Sequence, residues 1–376
     1  MTVASAIAPQ VDLQAEAVFE RAFRVPEASG RRARSGPVLL TGATGFVGAY
    51  LLRELLVHTS WRVRCLVRCQ SVDHGRRRLI RSMRRYRLWQ PAFESRIDIV
   101  PGDLSKPDLG LAPTAMKALG RSVGVVVHSA VDMNYRASYA ASKAVNVRAV
   151  ETLLHLCVGP VPKSFHFLSS IAVFQYEGTG PDVVDEATPL APCIHRTNFG
   201  YGASKWVSDV MVQRAIAAGL DAYVHRLGYA TWDTHTRVLD RKQALALFIE
   251  SAKRLGLRPR PGPQLPPLEV RPIDALAADI VRVVRARPSA EQPRILHHWE
   301  PQTVGFPALI ARYLRDEGMA LQDIELAAWM QQAATRPRLP VHSLLAVLAG
   351  AAFDRAGAPR LSASVTNRYL AGLGRA

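Results

Sequence analysis

Three glycines spaced three residues apart follow a short apolar run near the start of this chain. The apolar run is Val38-Leu39-Leu40, and the glycines are Gly42, Gly45 and Gly48. An apolar helical pattern opens at Ala49, so the segment predicts a strand, a tight turn and a helix N-terminus. In such a turn the first glycine permits the bend, the second admits a pyrophosphate, and the third lets the helix pack on the strand. Unpaired N–H groups at the helix start favour phosphates, so the segment predicts dinucleotide binding.

The residue after the second predicted strand indicates which dinucleotide binds. The second strand is predicted over Arg62 to Val67, and Arg68 follows it where an NAD enzyme usually carries Asp or Glu. A guanidinium there matches a 2′-phosphate, and Arg78 follows within the next helix. We therefore predict NADPH, with Arg68 and Arg78 on the 2′-phosphate. The alternative is a solvated arginine in an arginine-rich stretch.

Composition restricts the classes of protein that remain. The chain has 376 residues, is 48% hydrophobic and carries four cysteines without metal-ligand spacing, so we predict a globular α/β protein with no metal. No signal peptide is visible, and the longest apolar run, Ser343 to Phe353, is too short to span a bilayer. These features predict a cytoplasmic protein without a membrane span. The net charge of +17 concentrates in a basic segment over Arg76 to Arg87, predicted as a solvated helix face and not as a nucleic-acid site.

Alternating strand and helix patterns predict a Rossmann-type, doubly wound parallel sheet. The remaining strands are predicted over Ile97–Val100, Gly124–His128, Phe165–Leu168 and Ala222–Leu227, with helices over Ser142–Cys157 and Tyr201–Ala218. We predict a lead-in and linker over 1–35, with a helix over Val11–Phe23, and a nucleotide-binding domain over 36–230. A smaller, mostly helical substrate domain follows over 231–376. Within it, 268–298 partly returns to the sheet through short strands at Leu268–Arg271 and Ile295–His298.

A tyrosine and a lysine on one helix face indicate chemistry. Tyr201 and Lys205 are four residues apart, so they share a face, and Ser170 ends a preceding strand. A lysine ammonium beside the phenol should lower its pKa toward a useful range, and a serine hydroxyl can polarise a carbonyl. Such a pair is commonly structural. Its place in a nucleotide fold favours hydride transfer to or from a carbonyl.

These motifs resemble the extended short-chain dehydrogenase/reductase superfamily over about residues 37–300. The resemblance implies a catalytic tetrad of Asn146, Ser170, Tyr201 and Lys205. It also implies a set of cofactor-binding positions: Gly42, Thr44, Gly45, Phe46, Val47 and Gly48 around the pyrophosphate, Asp103 and Leu104 at the adenine, and Ser129, Ala130, Leu227 and Gly228 along the cofactor, with Tyr201 and Lys205 at its ribose.

A narrower resemblance is to the thioester reductase domains of nonribosomal peptide and polyketide synthetases and of carboxylic acid reductases. It is carried by Cys65-Leu66-Val67-Arg68, Arg78-Leu79, Gly102-Asp103-Leu104-Ser105, Gly200 to Val207, and Arg226-Leu227-Gly228. It implies NADPH-dependent reduction of a carrier-bound acyl or peptidyl thioester to an aldehyde, sometimes onward to an alcohol. The segment Trp232 to Arg237 departs from the family pattern and leaves the substrate open.

A carrier protein with a phosphopantetheine arm is the partner that this resemblance implies. Carrier proteins are usually acidic, so the basic helix and Arg254, Arg258 and Arg260 predict electrostatic docking. Positive charge that serves only solubility is the alternative, and a monomer is favoured. Two other functions stay open. One is an enzyme of the nucleotide-sugar epimerase or dehydratase type that acts on a small soluble substrate, and the other is a non-catalytic NADP-binding sensor.

Overall fold

The computed structural model describes residues 11–26, 36–134, 137–159, 161–174, 181–190, 200–260, 267–287, 289, 291–344 and 359–373. Its strands are β1 (Val38–Thr41), β2 (Val63–Val67), β3 (Ile97–Pro101), β4 (Val125–His128), β5 (Ser164–Ser170), β6 (Val183–Val184), β7 (Ala222–Leu227), β8 (Tyr229–Thr231), β9 (Leu257–Pro259), β10 (Pro267–Leu268), β11 (Val270–Pro272), β12 (Ile295–His298), β13 (Val304–Gly305), β14 (Gln322–Ile324) and β15 (Arg360–Leu361). Its α-helices are α1 (Leu13–Glu16), α2 (Phe46–His58), α3 (Val72–Arg85), α4 (Pro113–Ser122), α5 (Tyr139–Lys143), α6 (Ala149–Cys157), α7 (Gly200–Ala217), α8 (Ala244–Leu255), α9 (Ile273–Arg285), α10 (Phe306–Asp316), α11 (Leu326–Ala334) and α12 (Ser364–Gly372).

A seven-stranded parallel sheet in the order β12-β7-β5-β4-β1-β2-β3 forms the centre of the structure. Helices α2, α3 and α9 pack on one face, and α6 and α7 pack on the other. Strands covered on both faces have continuous apolar runs, which is why the sequence pattern predicted them well. The predicted Rossmann-type α/β fold is confirmed. The chain order reverses at β1 and β4, where such sheets bind ligands beyond their carboxyl ends.

The segment after β7 builds a second core beside the sheet. Its buried side chains come from α8, α10, α11 and the short strands between them: Trp232, Leu245, Phe248, Ile249, Ala252, Leu268, Val270, Phe306, Leu309, Ile310, Leu314, Trp329, Ala333, Leu339 and Val341. The same segment also returns to the sheet, because α9 packs against α2, β12 pairs with β7, and α12 packs on β12. The division of the chain at residue 230 stays a prediction.

Two predicted elements differ from the structure. Leu268–Arg271 does not join the main sheet, since β12 occupies the edge beside β7; instead β10 pairs with β13 and β11 pairs with β8. The lead-in helix predicted over Val11–Phe23 is confined to α1, which Asp12 caps. Beyond its end, the N–H groups of Glu20 and Arg21 donate to the Glu151 carboxylate of α6 and not to a helical carbonyl.

One other prediction falls partly outside the described residues. It concerns the later part of the apolar run from Ser343 to Phe353. Across the residues that are described, the helices are all too short or too polar to cross a membrane.

Candidate active site

The glycine loop between β1 and α2 has the close contacts that its spacing predicts. Gly42 has φ +75°, and a Cβ there would lie 2.6 Å from the Ala130 nitrogen. A Cβ on Gly48 would lie 2.1 Å from the Gly42 oxygen, so only glycine lets α2 approach the loop. Gly45 is exposed, and a Cβ there would meet only the Gly42 oxygen, at 3.3 Å. The loop is therefore tight against the protein and open toward a ligand, and it fits a dinucleotide pyrophosphate.

The side chains around this loop hold it in place. The Thr44 carbonyl accepts from the Ser82 hydroxyl at 2.8 Å, which ties the loop to α3. Phe46 is buried against Tyr86, with ring centroids 5.2 Å apart, and Val47 beside it is half-buried. The first-turn N–H groups of α2 have no intrahelical acceptor, so they face outward as donors for an anion.

The end of β4 borders the loop. Thr41 Oγ1 lies 2.7 Å from His128 Nδ1 and accepts from the Ala130 N–H at 3.2 Å. These bonds place Ser129 and Ala130 directly beside the glycine loop, and their position along the cofactor stays a prediction. Burial lowers the pKa of His128 to about 3, so this histidine is a neutral wall residue. Thr41 was not singled out by sequence reasoning, and its place at the end of an apolar strand was the available signal.

The ends of β2 and β3 bring together the residues predicted for the adenosine part of the cofactor. Arg78 donates a hydrogen bond to the Arg68 backbone carbonyl, which places the Arg78 guanidinium at the end of β2. Asp103 follows β3, and hydrogen bonds from the backbone and side chain of Ser105 lower its pKa, with a smaller contribution from Arg68. Leu104 packs at the edge of the core formed by α6 and α7. The ends of β2 and β3 therefore bring Arg68 close to the Asp103 carboxylate, with the Arg78 guanidinium on the Arg68 backbone.

Tyr201 and Ser170 meet at the carboxyl end of β5. Their side chains are hydrogen-bonded to each other, and the Ser170 oxygen also accepts from the Ala172 N–H at 3.1 Å. Tyr201 is 7% exposed. Burial raises the pKa of its phenol, and the Ser170 bond opposes that shift only in part. The expectation that Lys205 lowers this pKa is wrong for the chain by itself.

Lys205 faces β5 instead of providing a counter-charge to the phenol. Its Nζ donates to the Leu168 carbonyl at 2.6 Å and lies 4.6 Å from the centroid of the Phe167 ring. Burial lowers the pKa of this lysine to about 7, and the charge of Asp209 opposes the shift. Near neutral pH the ammonium thus loses much of its charge, which explains why it does not stabilise the phenolate.

Asn146 lies in a π-helical turn, Ala144–Arg148, inserted between α5 and α6. Its Oδ1 accepts from the Asp132 N–H at 2.8 Å, and its Nδ2 donates to the Asp132 carbonyl and to Ser204 Oγ. Since Ser204 precedes Lys205 on α7, this amide joins the end of β4 to the helix of the tetrad. Single-turn π insertions occur frequently at functional sites.

A buried ion pair behind the site was missed. Arg226 Nε and Nη2 donate to the two carboxylate oxygens of Asp209 at 3.0 and 3.1 Å, and Ser169 donates to Asp209 at 2.6 Å. The pair fastens α7 to the ends of β5 and β7, next to Leu227 and Gly228. A Cβ on Gly228 would lie 2.4 Å from the Glu269 oxygen. The backbone just after β7 is therefore in close contact with the backbone at Glu269. The spacing of Asp209 four residues after Lys205 was the signal.

Among the described residues, no group of three or more His, Cys, Asp or Glu could hold a metal ion. Cys65, Cys69 and Cys157 are free thiols, and Cys193 lies outside the described residues.

Known proteins are similar to this chain in both sequence and fold. The chain is 31% identical over 293 residues to a linear gramicidin synthase from Brevibacillus parabrevis, a match that covers 78% of this chain and 6% of that protein. It spans between 6% and 33% of the length of such curated relatives. The terminal R domain from the myxalamid PKS-NRPS biosynthetic pathway is 26% identical with a TM-score of 0.80, over 97% of this chain and 92% of that domain.

A second solved structure supports the fold. A thiolation-reductase di-domain from an archaeal non-ribosomal peptide synthetase is 22% identical with a TM-score of 0.73, over 90% of this chain and 71% of that one. The predicted resemblance to terminal reductase domains is confirmed by the match to the myxalamid terminal R domain.

A family model matches the part of the chain that forms most of the main sheet and the candidate site. Residues 40–280 match the NAD-binding family described as male sterility protein, and they include the glycine loop and all four tetrad positions. Because the match extends over well more than half of the chain, this protein belongs to that family of extended short-chain dehydrogenase/reductases.

Proposed function

We propose that this protein reduces a carrier-bound acyl or peptidyl thioester to an aldehyde with NADPH, with a second reduction giving an alcohol. The observation that carries the proposal is the hydrogen bond between buried Tyr201 and half-buried Ser170 at the same sheet edge as the open glycine loop. The similarity to terminal reductase domains of synthetases selects a thioester from the carbonyl compounds that such a pair can serve.

Tyr201 and Ser170 take different roles in this reaction. The raised pKa keeps the Tyr201 phenol protonated at neutral pH, which is the form that a proton donor requires. Ser170 holds the carbonyl oxygen by a hydrogen bond, and Tyr201 gives that oxygen its proton as hydride reaches the carbon. NADPH supplies the hydride when bound. The resulting hemithioacetal releases the carrier thiol and the aldehyde.

Lys205 and Asn146 act on the position of these groups. Lys205, with a pKa near 7, is partly charged at neutral pH and can bond a ribose hydroxyl in either form. Asn146 fixes the start of α7 through Ser204, so it holds the helix that carries the phenol. Lys205 would act through the ribose hydroxyl and Asn146 acts through Ser204, so neither role requires contact with the thioester.

The choice of NADPH over NADH rests on Arg68 and Arg78. Charge-assisted pairs are roughly twice as strong as neutral hydrogen bonds, so two arginines reward a 2′-phosphate. The Asp103 carboxylate comes from the next strand, so it does not replace the acidic residue that an NAD site carries after β2.

One measurement tests the function. NADPH oxidation is followed with a panel of acyl-pantetheine thioesters, and the products are identified by mass. We expect an aldehyde or alcohol of the supplied acyl group with at least one thioester, and no turnover with acids or nucleotide sugars. NAD that stays bound through purification, together with turnover of a nucleotide sugar, would instead assign an epimerase or dehydratase. Tight NADPH binding without turnover of any carbonyl would leave a cofactor sensor.

A further inference from the structure

A groove of about 980 Å³ separates the end of α3 from the second core. One wall carries Arg85, the last residue of α3, and Arg87 just after it. The other wall carries the loop before α8 and the exposed side of α8, including Arg241, Lys242 and Arg254. We call it the basic groove. The glycine loop, Arg68 and Arg78 do not line it, so it is separate from the predicted cofactor site.

Local ion pairs neutralise only some of the charge in the basic groove. Arg237 pairs with Asp316, Lys253 with Glu317, and Arg254 with Glu250. Four exposed cations remain for which the described residues supply no ion pair with a carboxylate: Arg85, Arg87, Arg241 and Lys242. Asp240 is the lining carboxylate that remains to oppose them. The groove therefore keeps an excess of positive charge that its own fold does not use.

Two of the arginines predicted to dock a carrier lie elsewhere. Arg258 pairs with Asp323, and Arg260 pairs with Glu325 at 3.0 Å. Neither lines the basic groove. The predicted basic residues thus fall into two sets. Arg258 and Arg260, on β9 and just after it, are paired with carboxylates, whereas Arg85, Arg87 and Arg254 line the basic groove.

The floor of the groove is apolar. Val238, Leu239 and Leu247 are half-buried lining residues between the cations of the two walls. An apolar floor with a basic rim is complementary to an amphipathic helix whose rim is acidic. A nucleic-acid backbone would leave these apolar groups without a partner, which argues for a protein.

The basic groove is connected to the candidate active site through one short segment. From Leu227 and Gly228 the chain runs through β8 to Asp233 and Thr236, and Thr236 lines the groove. The Thr236 carbonyl accepts a hydrogen bond from the Arg87 guanidinium at 3.5 Å, and this bond connects the two walls of the groove. Both Arg87 and Arg237 have φ +60°, a conformation that is uncommon for residues other than glycine. The groove and the site therefore share a constrained strand and loop of under a dozen residues, about 35 Å at full extension.

We propose that the basic groove is the docking surface for an acidic helix of the acyl carrier protein. The proposal rests on the proposed function, because it assigns a location to the partner of the same reaction. Complementary charge speeds encounter and orients the carrier, and the apolar floor holds the face of its helix. The thioester at the end of the carrier's arm then reaches Ser170 and Tyr201 along the β8 segment.

The test compares two double charge reversals. Arg241→Glu with Lys242→Glu changes the rim of the basic groove. Lys117→Glu with Arg121→Glu makes the same change in net charge on α4, with the same residue types, both exposed and outside the groove. For each protein, kcat/KM is measured with the best acyl group of the thioester panel, once on an acidic carrier protein and once on pantetheine. The ratio of the two values is the readout, because a loss of folding lowers both.

We expect the groove variant to lower that ratio about tenfold at low salt, and the α4 variant to change it less than about twofold. The difference should shrink as salt rises past the range where the Debye length is about 10 Å. An equal effect of both variants, or no effect of either, overturns the docking proposal while leaving thioester reduction intact. Failure of the unmodified protein to reduce any thioester overturns the proposed function instead. A short DNA duplex that binds the groove more tightly than the carrier does, and loses that binding in the groove variant, assigns the surface to nucleic acid.

Discussion

The nucleotide-binding sheet and the second core are held together by different kinds of contact. The sheet depends on glycines that no side chain could replace and on strands such as β4 and β7 whose residues are almost all buried. The second core joins short elements with two-residue and three-residue strand pairs and with ion pairs such as Arg258–Asp323. Exposed ion pairs of this kind contribute little, from about 0 to 1 kcal/mol. The sheet is therefore the part with little tolerance for substitution, and the second core is the part with more.

Acid should weaken the sheet before the second core. Burial lowers the pKa of His128 and His297 to about 3 and that of His298 well below its ordinary value, and every buried histidine of the described residues lies on a strand of the main sheet. A histidine whose folded-state pKa is depressed contributes stability that is complete above pH about 6.5 and is lost as the pH falls toward about 3. From pH 7 to pH 5 each of these three residues should cost about 2 kcal/mol of unfolding free energy. Urea unfolding at the two pH values measures this loss.

A matched variant makes the acid prediction specific. His128→Asn removes one of the three titrating groups, so about a third of the pH dependence should disappear. Carboxylates with lowered pKa values, such as Asp98, lose their contribution only at lower pH and do not interfere. A stability that is the same at pH 7 and pH 5 would show that the buried histidines do not distinguish the two regions.

Removing one phenol should stop the reaction without affecting the fold. Tyr201→Phe keeps the buried ring and deletes the proton donor, so turnover should fall about 10²-fold or more while NADPH still binds. Tyr139→Phe is the control, since Tyr139 is 3% exposed and its hydroxyl donates to Glu16 rather than to a tetrad residue. Steady-state kinetics and cofactor titration are the measurements. Near-normal turnover of the Tyr201 variant would exclude it as the acid.

One methyl group should affect the two regions unequally. Gly48→Ala places a Cβ against the Gly42 carbonyl and should cost about 2–3 kcal/mol of unfolding free energy. Gly256→Ala, at the end of α8, meets no atom within 4 Å and costs only the φ of +68°, about 1 kcal/mol. Denaturant unfolding of both variants gives the comparison. Equal losses would mean that the glycine loop is as tolerant as the second core.

The smallest effect concerns cofactor choice. Arg68→Ala removes one charge from the neighbourhood of the 2′-phosphate, so NADPH affinity should fall about tenfold and NADH affinity should change little. Fluorescence titration with both cofactors measures it. Arg77→Ala serves as the control because Arg77 is exposed on the same basic helix. If both cofactors lose affinity equally, Arg68 does not read the phosphate.

Much of the sheet could be predicted because its constraints are local in sequence. The apolar run before Gly42 and the glycine spacing require no knowledge of distant residues. The strand over Ala222–Leu227 was predicted with its correct bounds, since a central parallel strand is apolar on both faces. The helix of Tyr201 and Lys205 follows in the same way from a long apolar pattern.

The electrostatics of the site could not be predicted, because they depend on which group each side chain finally meets. Spacing placed Lys205 on the face of Tyr201, but the ammonium binds the Leu168 carbonyl and its pKa falls with burial. The strands of the second core could not be predicted for a related reason. Its strands pair across long stretches of sequence, as when β14 pairs with β9, and three-residue strands have no period to detect.

The return of β12 to the sheet has a consequence for the order of folding during synthesis. Residues 222–227 and 295–298 become neighbours only after the ribosome has added about seventy residues, part of which belong to the second core. Until then the backbone of β7 is a free edge, and free edges promote pairing with other chains. The protein therefore acquires the edge strand that covers β7 late, and chaperone protection during translation should matter most in that interval.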